Sequence, residues 1–271
     1  MTARQLLRNG IAATFAAAAL AIGSPALAQD AAPQFACNAP ADLVRIDHPL
    51  KRFARRIAGG QAIKIVAIGS SSTSGAGASS PAMNYPSRLE AELKALFPRV
   101  DIKVLNRGIG GETTVEMLAR FDRDVFAEQP DLVVWQVGSN SVLRDISLTE
   151  ASARLREGLQ RLRAADSDVI LMNPQYAPKV INKHDAYGMV DLIDLAAKQA
   201  NVDLFQRFAV MRYWRLTQNL PYSAFVTEDE LHMNDWGYGC FAKLLAGGIA
   251  QVTARGTITA TVQPRRPAPL N

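Results

Sequence analysis

Histidine and cysteine are scarce in this chain, with three and two respectively among 271 residues. His48, His184 and His232 stand far apart, and no pair has metal-ligand spacing, so neither a zinc site nor another resident metal is expected. A Walker-type phosphate loop is missing: the Gly/Ser-rich stretch after Ile68 is not followed by Lys-Ser or Lys-Thr. No cofactor motif stands out, and none is expected. No internal repeat and no interdomain linker interrupts the sequence. The longest apolar run, Ile11–Ile22, falls short of the roughly 20 residues needed to span a bilayer, which argues against a stable membrane anchor.

The run has another use. Arg4 and Arg8 precede it, and Ala26-Leu27-Ala28 follows it with small residues around a bulky one. That is the form of a bacterial secretory signal peptide, residues 1–28, cleaved after Ala28, with the periplasm or the exterior as destination. Arg4 and Arg8 are the only charged residues in that stretch, so their loss lowers the formal charge from +5 to +3. The high isoelectric point therefore gives no reason to expect nucleic-acid binding. Export also sets the redox context. Cys37 and Cys240 are expected to form a disulfide across most of the chain, two buried free thiols being the alternative.

What remains is ordinary for one globular domain: 48% hydrophobic and 20% charged residues. Residues 29–60 read as an arm, rich in Ala and Pro at first, with a short amphipathic helix over 41–58 interrupted at Pro49. Residues 61–254 read as the domain proper, and 255–271 as a proline-rich tail. Within the domain, β-branched runs at Ile63–Ile68, Ile102–Leu105, Leu132–Val137, Val169–Met172 and Val202–Phe205 predict five strands. Helical spacing is seen after Asn84-Tyr85-Pro86 up to Pro98, over Thr113–Phe126, Leu148–Leu162, Asp185–Ala200 and Asn234–Val252, with Asn234 as a cap. This alternation predicts an α/β fold of three layers, a parallel five-stranded sheet covered on both faces by helices. Trp135 is expected in the core.

Ligands bind at the carboxyl ends of strands in such sheets. Three strand ends carry reactive residue types: Gly69-Ser70-Ser71-Ser72-Thr73-Ser74-Gly75, Asn106-Arg107-Gly108-Ile109-Gly110-Gly111-Glu112-Thr113, and Gly138-Ser139-Asn140-Ser141. Asp229-Glu230-Leu231-His232 lies far downstream. A serine hydroxyl needs a base to take its proton. Of the three histidines, only His232 has a carboxylate three residues earlier, placed to fix its tautomer and stabilise the imidazolium. Acyl transfer also needs donors facing the developing oxyanion. The backbone N–H groups of Gly111 and Ser71 and the side-chain amide of Asn140 are candidates.

These four blocks resemble the SGNH/GDSL hydrolases, from about Ile65 to Leu244. The resemblance implies a flavodoxin-like arrangement, metal-free ester hydrolysis, Ser71, His232 and Asp229 as catalytic residues, and Ser71, Gly111 and Asn140 as the oxyanion hole. Alignment on Gly69 and Thr73 selects Ser71 from the run that also holds Ser70 and Ser72. One departure stands out: the family's usual Gly-Asp-Ser is Gly69-Ser70-Ser71 here. Asn173, Gln175 and Tyr176 follow the fourth strand, where they either shape a substrate site or form a turn around Pro174. The expected activity is hydrolysis of small-molecule or carbohydrate esters carrying acetyl or other short acyl groups. An acyltransferase using a sugar acceptor and a non-catalytic envelope-binding protein on the same scaffold are the alternatives.

Overall fold

The structure, a computed structural model, describes residues 35–261, with side chains up to residue 255. The expected signal peptide, the start of the arm and the end of the tail lie outside the described residues.

Five strands, β1 (Ile63–Gly69), β2 (Ile102–Gly108), β3 (Leu132–Gln136), β4 (Asp168–Met172) and β5 (Asp203–Phe205), form one parallel sheet in the order β2-β1-β3-β4-β5. Alternation along each strand explains the two faces. On one face, Ile65 and Ala67 of β1 join Leu132 and Val134 of β3 and Ile170 and Met172 of β4 in one core. Val66, Ile68, Val133, Trp135, Val169 and Leu171 point into a second core on the other face. Trp135 is fully buried, as expected from the sequence.

The helices are α1 (Ala41–Val44), α2 (Lys51–Ala58), α3 (Ser71–Ser74), α4 (Tyr85–Leu96), α5 (Thr114–Ala119), α6 (Phe121–Asp124), α7 (Ser139–Leu143), α8 (Leu148–Ala164), α9 (Pro178–Ile181), α10 (Ala186–Ala200), α11 (Arg207–Leu216) and α12 (Asp235–Thr261). Apolar side chains of α2, α4, α11 and α12 pack into the first core, and those of α5, α8 and α10 into the second. The caps are local sequence chemistry. Asn84 accepts from Ser87 N at 2.9 Å, and Thr113 and Glu116 form a capping box at the start of α5.

Several helical segments differ from expectation. The segment read as one helix over Thr113–Phe126 is α5 and α6 broken at Arg120, followed by a 3-10 turn at Phe126–Glu128. Arg120 turns inward there, buried, to meet Glu112, Asp124 and the carbonyl of Gly69. The final helix continues past Val252 to Thr261. α11 was not anticipated, although Phe208, Met211 and Trp214 repeat at helical spacing and are buried. Cys37 and Cys240 form a disulfide, with Cα atoms 5.3 Å apart, that staples the arm to α12.

The strand order reverses around β1, whose neighbours are β2 and β3. Such a switch point leaves a crevice beyond the carboxyl ends of the strands flanking the reversal. Gly69 pairs with Gly108 and Ile68 with Trp135, so the loops after β1, β2 and β3 leave the sheet at one edge.

Candidate active site

The loop after β1 turns directly into α3, with Ser71 as its first residue. Ser70 and Ser72 on either side are buried. Ser70 Oγ donates to Gln136 Oε1 at 3.0 Å. Ser71 instead is partly exposed, and its Oγ lies 2.8 Å from His232 Nε2. Of the three adjacent serines, only Ser71 meets the histidine.

The chain after α3 is locked against the histidine segment. Tyr238 OH donates to Ala76 O at 2.7 Å, and Ser79 donates to Asp235 through N (2.8 Å) and Oγ (2.5 Å). Gly77 passes so close that a Cβ there would sit 2.5 Å from Met233 O and 2.9 Å from His232 Cβ. Its φ of +87° also belongs to glycine.

His232 Nδ1 is 2.5 Å from Asp229 Oδ2. The other carboxylate oxygen, Oδ1, accepts from Thr227 Oγ1 (2.6 Å), Leu231 N (2.9 Å) and His232 N (2.9 Å). One carboxylate therefore shapes the Asp229–His232 turn and holds the imidazole. Partial burial by itself would raise the Asp229 carboxyl, but hydrogen bonds from Thr227, the His232 ring and two backbone N–H groups outweigh it and hold the carboxyl far below the usual range. With Asp229 ionised, Nδ1 carries a proton and Nε2 is left to accept from Ser71.

The loop after β2 lies beside the serine: a Cβ on Gly110 would be 3.9 Å from Ser71 Cβ. Gly111 has φ +81°, and Arg144 Nη2 donates to its carbonyl at 2.6 Å. Asn140, in α7 after β3, donates through Nδ2 to Glu112 O at 2.8 Å. That bond uses one of two amide hydrogens and orients the other. The Glu112 side chain is held in turn by Arg120, which also donates to Gly69 O. Ser71, Gly111 and Asn140 thus sit on three loops joined by hydrogen bonds and contacts at one sheet edge.

The other sequence candidates fall elsewhere. His48 Nδ1 is 3.3 Å from Asp203 at the opposite end of the sheet, and His184 is fully exposed beside Asp185. Asn173, Gln175 and Tyr176 are buried. Asn173 accepts from Phe208 N and donates to Gln206, which anchors α11 rather than facing solvent. Asn234 Oδ1 accepts from Gly237 N and caps α12. Among the described residues, no group of three or more His, Cys, Asp or Glu is placed to hold a metal. Sequence reasoning missed Arg120, Arg144, Gln136 and Arg207. Gln136 alone had a visible signal, an amide inside an otherwise apolar strand.

A family model, the Non-GDSL lipase-like family, matches residues 36–255. The chain belongs to that family. This lipase-like membership agrees with the resemblance to SGNH/GDSL hydrolases and with Ser70 standing where those enzymes usually have an acid. An acetylxylan esterase of Geobacillus stearothermophilus is 34% identical over 94 residues, covering 31% of this chain and 43% of that protein. Esterase TesA of Pseudomonas aeruginosa is 33% identical over 95 residues, covering 33% of this chain and 47% of that protein. The match spans less than half the length of either relative. Among solved structures, a two-domain esterase active on acetylated mannans superposes with a TM-score of 0.67 at 22% identity, over 84% of this chain and 59% of that one. The Geobacillus acetylxylan esterase superposes at 0.59 with 24% identity, over 69% and 94%. At these identities the superpositions establish a shared three-layer α/β fold and nothing more.

Proposed function

We propose that this chain is an exported carboxylic-ester hydrolase, with Ser71 as nucleophile, His232 as general base and acid, and Asp229 as the carboxylate that holds His232. The observation that carries the reading is the unbroken contact Ser71 Oγ–His232 Nε2 and His232 Nδ1–Asp229 Oδ2, at 2.8 and 2.5 Å.

In the first step His232 Nε2 takes the Ser71 proton while Oγ attacks the ester carbonyl carbon. The negative charge that develops on the carbonyl oxygen meets the N–H groups of Ser71 and Gly111 and the free Asn140 amide hydrogen. His232 then passes its proton to the leaving alcohol, and the acyl group stays on Ser71. Water attacks the acyl-enzyme with His232 as base, and Ser71 is regenerated.

The substrate class follows the relatives. One is an acetylxylan esterase, and a protein of the same fold is active on acetylated mannans, so O-acetyl groups on carbohydrates are the proposed target. Export to the periplasm or beyond rests on the signal-like residues 1–28, with support from the disulfide. No described helix is long and apolar enough to cross a membrane. The test is acetate release from acetylated xylan and mannan oligosaccharides, alongside aryl esters from acetyl to decanoyl. The proposal predicts that acetyl esters are turned over fastest and that Ser71→Ala abolishes release. Full release by Ser71→Ala refutes it.

A further inference from the structure

A line of buried polar side chains runs beneath the site, across the carboxyl ends of β1, β3 and β4. Ser70, Gln136, Ser139, Gln175 and Arg207 are each at most 2% exposed. The direction of each bond is fixed from the ends. Ser70 N is a donor only, and it gives its hydrogen to Gln136 Oε1 at 2.9 Å. Gln136 Nε2 then donates to Ser139 Oγ (3.4 Å), and Ser139 Oγ donates to Gln175 Oε1 (2.7 Å). Gln175 Nε2 donates to Leu231 O, an acceptor only, at 3.3 Å. Every bond points the same way. In a dry interior, bonds arranged like this polarise one another, and losing one leaves its neighbours unsatisfied.

The two ends of the line are informative. Ser70 immediately precedes Ser71, and Leu231 immediately precedes His232. Arg207 enters at the middle, donating through Nη2 to Ser139 (3.3 Å) and Gln175 (2.9 Å) and through Nε to Asn173 O (3.0 Å). Among the described residues this guanidinium forms no ion pair with a carboxylate, and its Nη1 is buried without a hydrogen-bond partner. A fully buried cation without a counter-ion is costly to keep. Its neighbours in the line are neutral, including Ser70 at the family's usual acid position.

We propose that Gln136, Ser139 and Gln175 are positioning residues that set the Ser71–His232 geometry, with Arg207 fixing the orientation of the two central groups. The inference rests on the esterase reading for its rate consequences, but not for its structural ones. Ser139 is the hub, bonded to three of the other members. Its helix α7 also carries Asn140, so the same line reaches the oxyanion side.

The experiment uses the folded full chain and the variants Ser139→Ala, Gln175→Leu and Ser139→Thr, with Ser167→Ala as control. Ser167 Oγ makes one bond to Pro130 O at the opposite end of the sheet. Two readouts are taken: kcat and KM on an aryl acetate, and the NMR resonance of the His232 Nδ1 proton with the ring's titration curve. The expected result is a loss in kcat of about 10- to 100-fold for Ser139→Ala and Gln175→Leu, with KM within about twofold. Ser139→Thr recovers most of the rate, and Ser167→Ala keeps it. In both relay variants the His232 resonance and titration curve move, while in the control they do not. Unchanged His232 signals in the relay variants overturn the inference whatever the rates do, as does a kcat that simply follows melting temperature across all four proteins. A wild type that hydrolyses no ester defeats the esterase reading alone, since the His232 signals still decide the positioning role.

Discussion

Replacing Asp229 by asparagine preserves shape and changes only the hydrogen-bond alphabet, which makes it a sharp probe of the site. Oδ1 of Asp229 accepts from two backbone N–H groups, Leu231 N and His232 N, and from Thr227 Oγ1. Backbone N–H groups cannot reverse their polarity. The asparagine oxygen must therefore occupy the Oδ1 position, and its NH2 group must face His232 Nδ1. A donor at that point forces Nδ1 to accept, so the ring proton moves to Nε2. His232 then presents a donor to Ser71 and cannot take its proton. The expected loss in kcat/KM on an aryl acetate is about 10³- to 10⁴-fold, equivalent to about 4–5.5 kcal/mol of transition-state stabilisation. The melting temperature should change little, because the three turn bonds survive. Asp229→Ala gives the opposite pattern: the turn loses all its acceptors and stability falls, while the ring is free to adopt either tautomer. Per folded molecule, the alanine variant should be at least as active as the asparagine variant. Retention of more than about a tenth of wild-type activity in Asp229→Asn would refute the tautomer argument.

Gly77→Ala forces a Cβ to 2.9 Å from His232 Cβ at a φ of +87°, and it should cost activity at least tenfold with a smaller effect on aryl acetate KM; near-wild-type kcat would contradict the packing argument. The Cys37–Cys240 bridge spans 203 residues, so Cys37→Ser with Cys240→Ser should lower stability by up to about 5 kcal/mol in the chain-entropy picture, and the melting temperature by about 10 °C. Calorimetry with and without reductant checks this, and an unchanged transition counts against it. Burial pushes the Asp168 carboxyl up to about 6, despite its bond from Phe53 N. The native state therefore keeps a proton that the unfolded chain releases at lower pH, so this group's contribution to stability falls as pH rises from about 4 to 6 and is flat above that window. Asp168→Asn should remove that slope: melting curves of the two proteins at pH 4 to 7 should diverge in the variant's favour toward pH 7, and parallel curves would exclude it.

The middle of the sheet was legible in the sequence because β1, β3 and β4 are buried on both faces and read as short β-branched runs. The loops at the strand ends were legible because serine, glycine and asparagine clusters broke those runs at one edge. The helices were less so. Arg120 broke the expected Thr113–Phe126 helix because it reaches Gly69 O, distant in sequence, and Glu112, in the loop before the helix, and no helical periodicity encodes these contacts. The buried line beneath the site was hidden for the same reason. Gln175 beside Pro174 fits a substrate site and a turn equally well, and Arg207 acquires its meaning only when β3, β4 and α11 are brought together. The scarcity of histidine helped: with three in the chain, the pairing of His232 with Asp229 stood out before any fold was known.

The central claim is that Ser71, activated by His232, is the nucleophile. A fluorophosphonate reacts covalently with an activated serine, and mass spectrometry of the digested protein locates the adduct. The account predicts one adduct, on Ser71, formed rapidly in the native protein and lost in Ser71→Ala and His232→Ala. No adduct on the folded protein, or an adduct on Ser70 or Ser72, would contradict it.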